Sequence, residues 1–337
     1  MRLSILDQSI ACEGKPQSEA IRESLDLAEY CDSAGFHRYW VSEHHNSDGI
    51  VGTAPEILMA AIAARTRKIR IGSAGVMLPH YAALKVAEQF RVLEALAPGR
   101  IDMGLGRAPG SDRPTAMALN PNAGVAHERF PQQVVELMHW VSGTPFPDDH
   151  RYAKINAHPK GPTNPEVWML GSSDYGAQLG AELGLPYAFA YFFTDGVGAE
   201  QAMQLYRHLY KPSERFPKPW PAMCVWALVA DTEEEAWYQF RSREHWKVRM
   251  ERGFREPLKS PAQLIDIEYS PAEQARMNQL RESALVGTAE QVGKKMEQLM
   301  ERFQLEELAV VTWTFDAEAR RRSCEHLVNI MGLCKDS

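Results

Sequence analysis

Eight short apolar segments, most of them followed by a helix of amphipathic pattern, predict an α/β chain closed into a (β/α)8 TIM barrel. The stretch Ile69–Asp112 shows the repeating unit most plainly. Ile69–Met77 is apolar and rich in β-branched residues, as suits a strand buried on both faces. Ala82–Leu96 repeats at helical spacing with Val86, Phe90 and Leu93 on one stripe, and Pro98-Gly99 stops it. Ile101–Leu105 is the next strand. A helix between two such strands implies a parallel pair with a right-handed crossover, whose functional loops follow the carboxyl ends of the strands. An open doubly wound sheet has the same alternation. Against it, the first strand runs into Leu6-Asp7-Gln8-Ser9 and offers no GxGxxG dinucleotide turn.

The remaining elements follow in order. Leu3–Leu6 is the first strand, and Ser18–Ala34 a helix with Ile21, Leu25 and Ala28 on one side and Gly35 as its stop. His37–Ser42 is a strand leading into Glu43-His44-His45-Asn46. Ala54–Arg65 is a helix with Pro55 in its first turn. Ala108–Asn122 reads as a long functional loop, Gly124–Val141 as one helix, and the proline-rich Ser142–Pro165 as an excursion, a short hairpin. Val167–Leu170 is a strand, followed by Gly171-Ser172-Ser173-Asp174-Tyr175-Gly176 and a helix to Leu183. Tyr187–Ala190 is a strand and Ala199–Tyr210 a helix. Met223–Ala230 is a strand, and Thr232-x-x-Glu235 opens the next helix as a capping box. Glu256–Ser283, polar and broken by Pro257, Pro261 and Pro271, reads as a mobile insertion. Thr288-x-x-Gln291 caps a helix, Leu308–Thr312 is the last strand, and Ala317–Met331 the last helix.

Composition narrows the function. The 337 residues, 45% of them hydrophobic, suffice for one large domain spanning 1–337. A net charge of −7 provides no basic face for nucleic acid or an acidic membrane. Five scattered cysteines without CxxC spacing read as reduced thiols, so the expected location is the cytoplasm and no zinc site is expected. The first residues meet Asp7 before a signal sequence could form, and no stretch is long and apolar enough to span a membrane.

Three places carry candidate chemistry. Adjacent side chains at a strand end point opposite ways, so one of His44 and His45 is expected to face the barrel mouth and the other to pack beneath the loop. The pair fits a polar active-site histidine, a structural histidine or, less well for want of HxH spacing, a metal ligand. Ser173 stands where a strand gives way to a helix. Its hydroxyl and the free N–H groups there form an anion site with Arg107 beyond the neighbouring strand, or else Ser172 or Ser173 is simply an N-cap. Ala74-Gly75 lets a flat ligand approach the backbone, or fills a narrow barrel layer. Trp40, Trp168, Trp226 and Trp313 read as packing rather than as a stacking platform.

Taken together, GFHRYWVSEHHN, IRIGSAGVMLPHYAALKVAEQF, LAPGRIDMGLGRAPGSD, LGSSDYGAQLGAELGLPYAFA and LVGTAEQVGKKMEQL occur in an order and spacing that resemble the bacterial luciferase-like flavin monooxygenases, in particular the single-component-type subgroup with EHH, GLGRAPG and GSSD. The resemblance spans nearly the whole chain. It implies a TIM barrel with FMN across the carboxyl ends of its strands. His44 matches the histidine that handles protons at the flavin's reactive edge, an imidazole titrating near neutrality. Ala74-Gly75 matches the pair joined by a non-proline cis peptide under the isoalloxazine. Arg107 and Ser173, with Tyr175 and the Gly176 backbone beside them, match the phosphate-binding positions, and Asp7 and Met77 fall where strand ends line the pocket. Gly106 stands where luciferase has a reactive cysteine, and Gly176 where it has a phosphate-binding hydroxyl. No metal is implied.

The activity implied is a monooxygenase in which reduced FMN, supplied by a separate flavin reductase, meets O2. A flavin hydroperoxide then oxygenates a small organic substrate under a lid formed by Glu256–Ser283. The alternatives are deazaflavin- or flavin-dependent hydride transfer on the same fold and a non-catalytic flavin-binding protein. A homodimer through Ala54–Arg65 and Ala82–Leu96 is also implied.

Overall fold

The computed structural model describes residues 2–108, 111–330 and 332. Its elements are β1 (Arg2–Asp7), α1 (Gln17–Ala34), β2 (Arg38–Val41), α2 (Pro55–Arg65), β3 (Arg70–Met77), α3 (Ala83–Leu96), β4 (Ile101–Gly106), α4 (Arg113–Leu119), α5 (Ala123–Ala126) and α6 (Phe130–Ser142). They continue with β5 (Glu166–Gly171), α7 (Asp174–Glu182), β6 (Tyr187–Ala190), α8 (Tyr191–Thr194), α9 (Ala199–Leu209), β7 (Pro221–Val229), α10 (Glu233–Glu251) and α11 (Pro271–Ser283). The chain closes with β8 (Leu285–Gly287), α12 (Ala289–Phe303), β9 (Glu307–Val311) and α13 (Ala317–Ile330).

Eight parallel strands form the barrel. Strands β1 to β7 pair in sequence, and β9 joins β7 to β1. These eight are the segments expected from the sequence. The short β8 pairs with β7 in addition, at Ala227↔Leu285 and Val229↔Gly287. Three residues are too few to show a period, which is why the sequence pattern does not reveal it.

Alternation along each strand sorts side chains into two layers. Leu3, Ile5, Tyr39, Val41, Ile71, Met103 and Val310 face the helices and form the main core with α1, α2, α3, α6 and α7. Leu6, Trp40, Trp168, Ala188, Cys224 and Ala309 fill the barrel, where Trp40 and Trp168 meet edge to face at 5.0 Å. Glycines admit these indoles: a Cβ on Gly72 would stand 2.6 Å from the Trp40 ring. The amino end of the barrel is closed by charge. Arg38, almost fully buried, meets Asp102 at 2.8 Å, Glu166 at 3.0 Å and Glu307 at 3.0 Å. Arg70 adds a second cation on Asp102 at 2.5 Å. Burial pushes the Asp102 carboxyl up, but Arg38 and Arg70 outweigh it and hold it below its ordinary range.

Three expectations are corrected. The stretch 108–122 is not all loop: α4 lies within it, capped by Asp112, whose carboxylate accepts the Thr115 N–H. Pro109 and Gly110 of that stretch, and Met331 of the last helix, lie outside the described residues. The helix expected from Gly124 to Val141 is two, α5 and α6, because Pro131 fits the first turn of a helix and not its interior. The excursion 142–165 contains no strand; Arg91 gathers it by donating to the carbonyls of Val141, Pro159 and Thr163.

The insertion 256–283 holds a 3-10 turn, Pro261–Leu264, and α11, opened by capping boxes Ser260/Gln263 and Ser270/Glu273. Pro261 and Pro271 begin these helices rather than break one. Thr232 also caps α10, but only its half of the box is made.

Candidate functional site at the barrel mouth

A cavity of about 540 Å³ opens at the carboxyl ends of the strands, within the range of small-molecule sites. One wall comes from the loop after β2 and the carboxyl-terminal parts of β3 and β4: His44, His45, Ala74, Gly75, Met77 and Gly106. The opposite wall comes from α8, β7, α10 and the loop after β9: Phe192, Phe193, Trp226, Arg243, Trp246, Lys247, Met250 and Trp313.

The two histidines do not divide as expected. Both line the cavity, because the chain leaves strand geometry after Val41 and no longer alternates. His44 Nδ1 lies 3.1 Å from Ser42 Oγ. Burial pulls its pKa down to about 4; His45 adds to this and the Glu43 carboxylate opposes it. His44 is therefore a neutral imidazole at physiological pH rather than one titrating near neutrality.

The residue that organises this wall is Glu43, to which the sequence reading gave no role. Its buried carboxylate accepts hydrogen bonds from the Met77 N–H at 2.9 Å and the Tyr81 hydroxyl at 2.5 Å, and lies 2.8 Å from His45 Nε2. Its position in Glu43-His44-His45, directly after a strand, is the only signal the sequence carries for it.

The peptide joining Ala74 and Gly75 is cis. A Cβ on Gly75 would lie 2.7 Å from the Gly104 carbonyl oxygen, and one on Gly104 would strike the Ser73 carbonyl. Only glycine lets β3 and β4 approach so closely beneath the cavity floor. A Cβ on Gly106 would find its nearest neighbour at 3.9 Å, in open space at the cavity edge.

Arg107, Ser173, Tyr175 and Gly176 gather beside this cavity rather than in its lining, after β4 and β5. The Arg107 guanidinium lies over the Tyr175 ring at 3.7 Å, and no carboxylate pairs with it among the described residues. Ser173 holds the N-cap position of the nine-residue α7 but makes no capping hydrogen bond with its side chain, so its hydroxyl is uncommitted. Tyr187 donates from its hydroxyl to the Ser173 carbonyl at 3.3 Å, fixing the turn. An uncommitted hydroxyl, an unspent guanidinium and the N–H groups of a helix start suit a phosphate. The residues present would fit the phosphate of a bound cofactor.

Asp7 is not part of the cavity. It faces the helix layer, where it accepts from Arg320 at 2.6 Å and from the Tyr39 hydroxyl at 2.7 Å. Its neighbour Gln8 lines the cavity instead, and so does Met77. Trp40 and Trp168 are packing residues, as expected, but Trp226 and Trp313 wall the cavity, with ring centroids 5.3 Å apart.

The profile described as Luciferase-like monooxygenase matches residues 1–305, most of the chain. The chain belongs to that family. A relative in it, the N-acetyl-S-alkylcysteine monooxygenase of Bacillus subtilis, is 37% identical over 317 residues, 93% of this chain and 92% of that one. Among solved structures, apo-MsnO8 superposes with a TM-score of 0.88 at 32% identity, covering 99% of both chains. The oxygenating constituent of 3,6-diketocamphane monooxygenase from Pseudomonas putida, in complex with FMN, shares the fold with a TM-score of 0.69. It is 18% identical and covers 97% of this chain and 96% of that one.

The cationic wall went unseen in the sequence. Arg243, Trp246, Lys247 and Met250 follow helical spacing on the inner face of α10, a pattern indistinguishable from an ordinary half-buried helix until the helix is placed over the mouth. No helix among the described residues is long and apolar enough to cross a membrane.

Proposed function

We propose that this member of the luciferase-like monooxygenases uses reduced FMN and O2 to oxygenate a small organic substrate. The observation that carries the reading is the uncommitted anion cluster of Arg107, Ser173 and the first turn of α7 beside an aromatic cavity floored by Ala74-Gly75. Bound FMN supplies the reaction with oxygen; the chain's own residues bind, orient and exclude water. Arg107 and Ser173 hold the phosphate. Neutral His44 presents an imidazole able to accept or donate one hydrogen bond at the flavin edge and to take up a proton there, with Ser42 setting its tautomer. Phe192, Trp226, Trp246 and Trp313 keep the cavity dry.

The segment 256–283 serves as the lid. What supports this reading is that two ties fasten the start of the segment to elements near the cavity: Trp246 Nε1 donates to the Glu256 carbonyl at 2.9 Å, and Leu258 bridges to Cys12. The chain offers no dinucleotide fingerprint for a nicotinamide, so a separate flavin reductase supplies the reduced cofactor. Two copies pair through α2 and α3, whose outer faces leave Ile57 67%, Val92 48% and Leu96 60% exposed.

The test is a titration with oxidised and reduced FMN, then admission of air to the reduced complex with the absorbance followed in a stopped-flow spectrometer. Tight FMN binding with slowed reoxidation is expected. Failure to bind FMN, or binding of a deazaflavin in its place without oxygen uptake, overturns the reading. FMN binding without oxygen transfer to any substrate reduces the protein to a flavin carrier.

A further inference from the structure

The wall opposite the expected flavin platform holds a buried cation with no ion-pair partner among the described residues. Arg243 is 4% exposed, and its Nε and Nη1 have no hydrogen-bond partner. Its guanidinium lies over the Trp226 ring at 4.5 Å and near Trp313 at 5.6 Å, and it lines the cavity. A ring face attracts the cation but leaves its in-plane N–H groups unused. Leaving such donors buried and unpaired is costly, and a water or an anion entering from the cavity relieves the cost.

No carboxylate among the described residues is the partner of Arg243. Asp195 pairs with Arg276 at 2.5 Å, Glu244 with Arg281, and Glu251 with Lys247 at 3.3 Å and Arg276 at 2.7 Å. Glu43, the one acidic residue of the cavity lining, is spent on Met77, Tyr81 and His45. The other charged side chains of the lining are cations: Lys247 stands one turn along α10 from Arg243, and Arg255, already paired with Asp112 at 2.9 Å, lies at the rim. Burial lowers the pKa of both Arg243 and Lys247; Arg276 lowers that of Arg243 further and Arg243 that of Lys247, while Asp195 and Glu251 oppose both shifts. Lys247 has its partner in Glu251, so an incoming anion relieves Arg243 above all.

We propose that the substrate of this cavity is a carboxylate with an apolar body, its carboxylate held by the Arg243 fork and its body packed against Trp226, Trp246 and Trp313. This deepens the reading of the cavity as the place where substrate meets FMN, and rests on it. Either bidentate edge of the guanidinium, Nε with Nη2 or Nη1 with Nη2, contains one of these unpaired donors and matches a carboxylate, which the single point charge of Lys247 does not. The aromatic walls supply the area that binds the rest of the molecule. The phosphate of FMN has its own site at Arg107 and Ser173, after strands on the other side of the mouth.

The probe pair is phenylbutyrate and its neutral isostere phenylbutyramide, titrated calorimetrically into wild-type protein with and without FMN. The carboxylate should bind roughly tenfold more tightly than the amide, as a charge-assisted bidentate contact requires. In Arg243→Met the two should bind alike, and in Arg243→Lys part of the gap should persist. Equal binding of both probes by wild-type protein, absence of carboxylate binding at millimolar concentration, or an undiminished gap in Arg243→Met overturns the proposal. FMN is titrated separately into Arg243→Met: unchanged affinity is expected, and a loss of FMN affinity assigns the guanidinium to the cofactor and overturns the proposal. If wild-type protein fails to bind FMN, the flavin reading falls alone, because the carboxylate preference is read without it.

Discussion

Glu43 accepts a hydrogen bond from the backbone N–H of Met77, 2.9 Å away, and so ties the loop after β2 to the end of β3. The same carboxylate takes the Tyr81 hydroxyl and lies against His45. Replacing Glu43 by Ala leaves a buried N–H and a hydroxyl unpaired. Each such loss costs about 1–3 kcal/mol, so unfolding by urea should show a deficit of ~2–4 kcal/mol for Glu43→Ala. A deficit within error of zero would show that water replaces the carboxylate.

His44 gives a prediction in pH. Its pKa in the fold, about 4, lies below the ordinary imidazole value. Between the two, the unfolded chain binds the extra proton, so acidification through this window costs stability, and the cost is absent above it. His44→Gln should lose its share of that acid sensitivity, seen as a smaller fall in unfolding free energy from pH 7 to pH 4.5. In turnover, His44→Ala should leave FMN affinity nearly intact and reduce the rate by about 10²–10⁴. An unchanged rate would remove the histidine from the mechanism.

The phosphate site separates two flavins. Arg107→Ala should weaken FMN by about tenfold to a hundredfold, and Ser173→Ala by less, while riboflavin, which lacks the phosphate, binds each variant as it binds wild-type protein. Fluorescence titration with both ligands decides it. Equal loss for the two would place Arg107 under the ring instead.

At the closed end of the barrel, Arg38→Met leaves Asp102, Glu166 and Glu307 with less cation than carboxylate. Breaking a buried pair from one side costs about 3–5 kcal/mol, measurable in denaturant. The stranded carboxylates then take up protons more readily in the fold than in the unfolded chain, so the deficit should narrow as the pH falls. A deficit independent of pH would mean the loss is one of packing.

The pairing of two copies is tested at Ile57, which is 67% exposed on α2. Ile57→Lys should yield a monomer in sedimentation velocity with its helical content unchanged. A wild-type monomer, or a variant that still dimerises, would remove α2 from the interface.

The sequence by itself determined the architecture. Eight runs of buried-strand composition alternate with amphipathic helices, and the absence of a glycine-rich turn after the first strand favours the closed barrel over an open doubly wound sheet. Local signals also placed the candidate residues near strand ends at this face of the barrel: His44, Arg107 and Ser173 stand just beyond β2, β4 and β5, and Ala74-Gly75 in the last half of β3. Local signals misled where one residue type has two uses. Pro261 and Pro271 mark helix starts as readily as loops, and Asp7 at the end of β1 turned to Arg320 because the strand's alternation faces it outwards. Only the tertiary structure decided what crosses the mouth. Glu43 reaches Met77 and Tyr81 across 34 and 38 positions of chain, and Arg243 meets Trp313 from 70 positions away. Such contacts leave no periodic trace in the sequence. A buried cation without a partner is a property of three-dimensional neighbours, because which carboxylates are already engaged is settled only when every helix has taken its place around the barrel.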